Sequence, residues 1–355
     1  MMRIPAAGAS LAVIAAAFVV SLVSALPSPQ KDRVKVSVDE NARRVDVSID
    51  GRPFTSYIWP TTLKKPVLYP LRTETGTIIT RGFPLEQRPG ERVDHPHHAG
   101  LWLNYEDVNG LDFWNNSDAI KPDQAPKMGT ILHRKIISAK SGAQQGELEV
   151  ETDWVTFDKK VLLNERTRFV FRGGPAFRSV DRITTLTALD TKVNFPDAKD
   201  GMLGLRVIRA LEIPSDKPEA YTDASGRPTA VAKLDNTGVN GTYLTSEGKK
   251  GDAAWGTRGR WCNLSGMVGS EPVTISIFDH PSNPGFPTYW HARGYGLFAA
   301  NPLGQKVFSN GKEEMNFSLD PHKSVTFRYR ILISSAIATP EATEAAYKDF
   351  ASARE

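Results

Sequence analysis

Cysteine is almost missing from this chain: Cys262 is the only one among 355 residues. No intrachain disulfide is possible, so the fold must be held by burial, which a chain of this length can supply. Cys262 sits between Trp261 and Asn263 in a strand-like stretch and reads as a small buried hydrophobe rather than a nucleophile. An excess of charge of one sign is missing too. Lys and Arg number 44 against 40 Asp and Glu, a net charge of +4. The basic residues come in scattered pairs such as Lys64-Lys65, Lys159-Lys160 and Lys249-Lys250, whereas nucleic-acid binding calls for a concentrated basic face. After residue 25 no apolar run approaches the roughly 20 residues of a membrane-spanning helix. There is no phosphate-cradling glycine loop, no dinucleotide fingerprint and no repeat at solenoid periods.

The one long apolar run lies at the start. Arg3 precedes an almost unbroken apolar stretch from Ala9 to Val23, and Val23-Ser24-Ala25 supplies the small residues that signal peptidase requires. The pattern predicts a signal peptide over residues 1–25, with an uncleaved anchor as the alternative. A Pro- and Ser-containing linker follows over 26–32. The mature chain is expected to begin near Leu26 and to be periplasmic or secreted, with no stable membrane insertion once the leader is removed. No cysteine lies near the cleavage point, which excludes lipid attachment there.

What is abundant is β pattern. Val34, Val36 and Val38 alternate with polar neighbours, as do Val45, Val47 and Ile49, and Asp50-Gly51 then signals a tight hairpin. The same period returns at Leu148–Thr152, Val273–Ile277 and Val325–Tyr329. With 28 Gly and 24 Pro punctuating such segments, many short strands are favoured over long helices. The expected fold is all-β: a large antiparallel β-sandwich in a single domain over residues 33–355, ending in a short helix. That helix has Thr339 as its cap and Pro340 in its first position.

Between the strands lie two stretches of unusual chemistry. The first runs from Arg81 and Glu86 through Asp94-His95-Pro96-His97-His98 to Trp102, Asn104 and Trp114. The second runs through Asp279-His280-Pro281 to Trp290-His291-Ala292-Arg293. Both repeat Asp-His-Pro and both add a further histidine and a tryptophan. In an extended segment His95 and His97 share a face and His98 points the other way. Imidazoles transfer protons near neutral pH, arginine and asparagine hydrogen-bond hydroxyls, and indoles offer an apolar face to a sugar ring. Together these residues suit a carbohydrate cleft. Imidazole also binds zinc, copper and iron, but a His-x-His pair alone does not specify a metal. Glu86, in a Pro/Gly-rich loop, is either a general base or a solvated residue. Arg206, after Gly204-Leu205, either lines a cleft or enters a strand.

The segments Lys65-Pro66 through Pro70-Leu71-Arg72, Asp94 to His98, Asp107 to Trp114 and Asp279 to Pro284 resemble those of a family of secreted bacterial proteins. That family carries the label methane oxygenase PmoA. The true methane monooxygenase subunit spans the membrane several times, so the label does not imply methane oxidation here. The resemblance implies a galactose-mutarotase-like supersandwich, a fold shared by aldose epimerases, glycosidase domains and polysaccharide lyases.

The expectation that follows is an exported protein acting on a sugar or glycoside by His/carboxylate acid–base chemistry. His97 or His98 is the proton-transferring group, complemented by Asp94, Glu86 or Asp279. His95, Trp102, Asn104, Arg206, His280, Trp290, His291 and Arg293 orient or stack on the substrate. No resident metal is assigned and no cofactor identity follows. A non-catalytic glycan-binding protein and a His-ligated metalloenzyme are the alternatives. The whole reading requires the two histidine-rich stretches to meet over one pocket.

Overall fold

The computed structural model describes residues 1–2, 33–233 and 235–353; all but the first two residues of the expected leader and linker lie outside that range. Alternation becomes strand wherever it was read. Val34–Asp39 buries Val34 and Val36 and exposes Lys35, with Val38 exposed near its end, and the strands Arg44–Ile49 and Arg52–Ile58 pair across Asp50-Gly51. Both turn residues have positive φ, 53° and 77°, the backbone that matches the twist of a two-residue hairpin and that glycine adopts without strain.

Two eight-stranded sheets result, with every neighbouring pair antiparallel. In spatial order the first contains Val34–Asp39, Arg44–Ile49, Arg52–Ile58, Val67–Leu68, Leu101–Tyr105, Gly201–Arg206, Leu297–Asn301 and Tyr289–Arg293. The second runs Thr242–Thr245, Trp261–Val268, Glu271–Asp279, Ser324–Ser334, Phe177–Ala188, Val161–Gly174, Gln145–Val155 and Thr130–Lys140. Their inner faces share one apolar core, with Leu103, Leu203 and Ala300 from the first and Val150, Phe169, Ile275 and Ile331 from the second. Full burial of each large side chain there contributes about 1.5–3 kcal/mol. Cys262 is buried in this core, as the sequence suggested. The C-terminal helix Pro340–Ser352 forms behind Thr339, whose side chain accepts from the Ala342 amide, and it seats Tyr347 and Phe350 against Trp261 and Phe278.

The first sheet is buried on both faces at its centre, and this positions everything that follows. Pairing aligns Trp102, Gly204, Ala299 and His291 in one row across four strands, and Leu103, Leu203, Ala300 and Trp290 in the next. Adjacent rows face opposite ways. The Leu103 row enters the inter-sheet core; the Trp102 row faces outward into a second apolar cluster with Val67, Tyr69, Ala99 and Trp114. Gly204 makes the floor of that cluster. A Cβ there would lie 2.4 Å from Cζ2 of Trp102, so only glycine lets the indole lie across the strand.

Candidate functional site

Residues 94–98 cross the outer face as a turn, not a strand. His95 has φ 44° and its carbonyl accepts from the His98 amide at 2.9 Å. The extended-segment expectation is therefore overturned: His95 and His98 lie on one side, and His97 is set across them. The rings of Tyr295, His95, His98 and Trp102 form a column. Their centroids are 5.1, 4.8 and 5.3 Å apart and the planes are inclined by 4°, 3° and 20°. The His97 ring meets His98 edge-on at 4.3 Å.

Two buried arginines hold the turn. Arg81 and Arg206 are 1% and 0% exposed. Arg81 donates to the carbonyls of Asp94, His95 and His98 and to Oδ1 of Asp94. Arg206 donates to Asp94 Oδ1 at 2.7 Å and to Nδ1 of His98 at 3.1 Å. Guanidinium has only donors, so His98 Nδ1 is the acceptor and its proton sits on Nε2. The other Asp94 oxygen lies 2.7 Å from Nδ1 of His95. Burial by itself would raise the Asp94 carboxyl. The hydrogen bond from His95 and the charges of Arg206 and Arg81 outweigh it and hold the group well below the usual carboxylate range. An ionised Asp94 accepts from His95 Nδ1–H, which leaves Nε2 of His95 as a base.

Burial also decides the state of the other histidines. It pushes His97 down to about 2, helped by the nearby charges of Lys65 and the two arginines, and it drives His98 well below the ordinary histidine range. Both stay neutral near physiological pH, and His98 is 1% exposed. His95 keeps 40% of its side chain exposed. Together with Asp94 it lines a cavity of about 460 Å³ whose walls include Glu219, Asp252, Trp255, Arg293 and Tyr295. The Arg293 guanidinium lies over Trp255 and Tyr295, 5.1 and 5.7 Å from their ring centres.

The structure thus joins Asp94, His95, His97, His98, Trp102 and Arg206 in one cluster and brings Arg293 to its cavity. His291 shares the Trp102 face but is 3% exposed, with Nδ1 3.2 Å from an Asp200 oxygen. The remaining sequence candidates are elsewhere. Glu86 is tied to Arg88 by bonds of 2.6 and 2.9 Å in an exposed loop. Asn104 is buried and donates to the Phe113 carbonyl at 2.6 Å. Asp279 belongs to the second sheet, wholly buried, and accepts from Asn283 and the Thr288 amide; burial pushes its carboxyl up to about 7. His280 packs its ring against Phe350 of the C-terminal helix. Trp290 is in the inter-sheet row and 0% exposed, so it offers no stacking face to a ligand.

The second Asp-His-Pro therefore does not meet the first; only the end of that stretch, His291 to Tyr295, reaches the face where the cluster lies. Sequence reasoning did not single out Arg81, Trp255 or Tyr295 as site residues. Tyr295 carried the one available signal, an aromatic in a Gly-Tyr-Gly turn two residues past Arg293. Among the described residues no group of three His, Cys, Asp or Glu stands where it could hold a metal ion. His95 and His98 lie in nearly parallel planes, so their in-plane lone pairs do not converge on a shared point.

Fold and site define an all-β sandwich protein with a carboxylate-oriented histidine at the mouth of a cavity on the outer face of one sheet. The family model for DUF6807, a family of unknown function, matches residues 44–348, and the chain belongs to that family; the methane-oxygenase label is no part of the match. No curated protein matches the sequence. Among solved structures the chain is similar to galactose 1-epimerase from Lactobacillus acidophilus NCFM, at 10% identity, covering 86% of this chain and 98% of that one with a TM-score of 0.38. It is also similar to a putative aldose 1-epimerase from Escherichia coli K12, at 8% identity, 85% and 99% coverage and a TM-score of 0.32. A galactose mutarotase-like protein from Clostridium acetobutylicum gives 9% identity, 85% and 98% coverage and a TM-score of 0.38. Likenesses at such identity and score carry no argument about chemistry.

Proposed function

We propose that this protein acts on a sugar or glycoside by acid–base chemistry in the cavity beside Asp94 and His95. The observation that carries the reading is the dyad itself, a half-exposed imidazole on a cavity wall with its Nδ1 bound to a carboxylate that two buried arginines keep ionised. Nε2 of His95 takes a proton from a substrate hydroxyl or returns one to a ring or glycosidic oxygen. Asp94 fixes the tautomer and stabilises the imidazolium without taking the proton. Trp255, 41% exposed, offers the apolar face that a sugar ring needs, and Arg293 donates to hydroxyls. Glu219 and Asp252 accept from others. In this reading His97 and His98 support the dyad by packing rather than by proton transfer, because burial leaves them too weakly basic to take up a proton near pH 7.

The test is a screen of the purified protein against sugars, 3-keto sugars and glycosides with product analysis. On a substrate so found, His95→Ala lowers turnover by roughly 10²–10⁴-fold, the usual worth of a positioned acid or base. Turnover surviving that change would end the assignment. A binding protein without turnover is the second reading, favoured by the exposed indole of Trp255. It predicts saturable sugar binding, no product, and affinity lost in Trp255→Ala but not in His95→Ala. Export through the N-terminal segment belongs to the same proposal.

A further inference from the structure

A second cavity, of about 420 Å³, shares no wall residue with the first. His97 and Lys65 are on its wall, together with an apolar lining that includes Leu63, Val67, Leu85 and Ala99. Lys65 is 5% exposed. Its Nζ donates to the His97 carbonyl at 2.7 Å and stands 5.2 Å from the centre of the Trp102 ring. Both contacts favour the ammonium form, yet no carboxylate among the described residues forms an ion pair with it. Asp112 acts on it only from a distance, and Asp118, on the same wall, is held by Lys64. A buried ammonium without a counter-charge is costly.

The surroundings have the same imbalance. Among the described residues Asp94 is the one carboxylate ion-paired with Arg81 or Arg206. Of the side chains on the cavity wall, His97 also leaves its buried Nε2 without a partner. A buried ammonium with no ion-pair partner among the described residues, on the wall of a hollow lined by Leu63, Val67, Leu85 and Ala99, calls for a ligand that brings negative charge and hydrocarbon.

We propose that this cavity binds a small organic carboxylate, with the Lys65 ammonium as its counter-ion and the apolar wall receiving its hydrocarbon part. The proposal does not rest on the dyad. Burial lowers the Lys65 amine to about 7, so a carboxylate bound there draws a proton onto the protein at neutral pH.

The experiment is calorimetric titration of the full chain with acetate, butyrate and benzoate at pH 7, in two buffers of different ionisation enthalpy. Binding is expected to tighten from acetate to the larger acids and to take up a fraction of a proton. Lys65→Met should weaken it by about tenfold or more, the usual effect of losing a charge-assisted hydrogen bond, while Lys65→Arg retains part of it. His95→Ala should bind these acids as the parent does, which separates this site from the sugar cavity. Should Lys65→Met fail to fold, Ala119→Trp, at an exposed wall position, fills the cavity and should abolish binding. The proposal is overturned if the parent binds none of the three acids, or if folded Lys65→Met or Ala119→Trp binds them unchanged. Selective trapping of glycolaldehyde on Lys65 by borohydride, without carboxylate binding, would also overturn it and mark a carbonyl site instead.

Discussion

Replacing Asp94 by Asn is the sharpest probe of the cluster. The carboxylate accepts from Arg206, Arg81 and His95 at once, and the two guanidiniums are almost wholly buried. An amide keeps the shape and removes the charge, leaving two cations in the interior with no ion-pair partner. Breaking a buried pair in this way costs about 3–5 kcal/mol, a large part of the stability of an ordinary domain. Urea unfolding at pH 7, followed by tryptophan fluorescence, measures the loss. The pH dependence gives a second handle. Because the Asp94 carboxyl is held below its unfolded value of about 3.9, the unfolded chain binds more protons in that interval. The contribution is therefore fully present above about pH 4 and disappears as pH falls through the folded value. The difference between parent and variant should shrink in acid. A difference under about 1 kcal/mol at pH 7, or one indifferent to acid, would refute the claim that Asp94 neutralises the arginines.

Other outcomes follow from particular contacts. Gly204→Ala drives a methyl into the Trp102 indole and should cost about 1–3 kcal/mol by overpacking, seen as a lower melting temperature with altered tryptophan fluorescence. Glu86→Gln should change neither turnover nor stability by more than about 0.5 kcal/mol, since Glu86 is exposed and its partners are Arg88 and Tyr69 rather than the dyad; a large loss of rate would return it to the site. Lys65 is depressed to about 7 against roughly 10.4 in the unfolded chain, so the unfolded state binds more protons between those values. Stability should then rise with pH across that window, and Lys65→Met should flatten the rise. If the chain is exported as proposed, N-terminal sequencing of the protein recovered from its native host should begin near Leu26; retention of residues 1–25 would make the segment an anchor.

Some of this was legible in one dimension. Alternation at Val34–Val38 and Val45–Ile49, the Asp50-Gly51 turn and the Thr339-Pro340 cap each depend on neighbours a few residues apart, and each became the expected element. The first histidine-rich segment was also found, because its side chains are crowded along the chain itself. The reading failed where period stops carrying information. Leu101–Tyr105, Gly201–Arg206 and Leu297–Asn301 are buried at every position, so no polar alternation says which row meets the other sheet. Trp102 and Trp290 looked equivalent and ended on opposite faces. His98, expected to point away from His95, stacks on it because a left-handed residue at His95 turns the segment.

The sequence by itself determined an all-β chain with a short terminal helix and a histidine-rich turn, since those features follow from local steric and hydrophobic rules. Only the tertiary structure decided that Arg81 and Arg206, far apart along the chain, would close on a single carboxylate. It also decided that His95 rather than His97 or His98 would share a cavity wall with Asp94, and that Asp279 and His280 would be used elsewhere. Charge pairing and burial act through space, and which residues share that space is set by strand register and sheet order rather than by spacing along the chain.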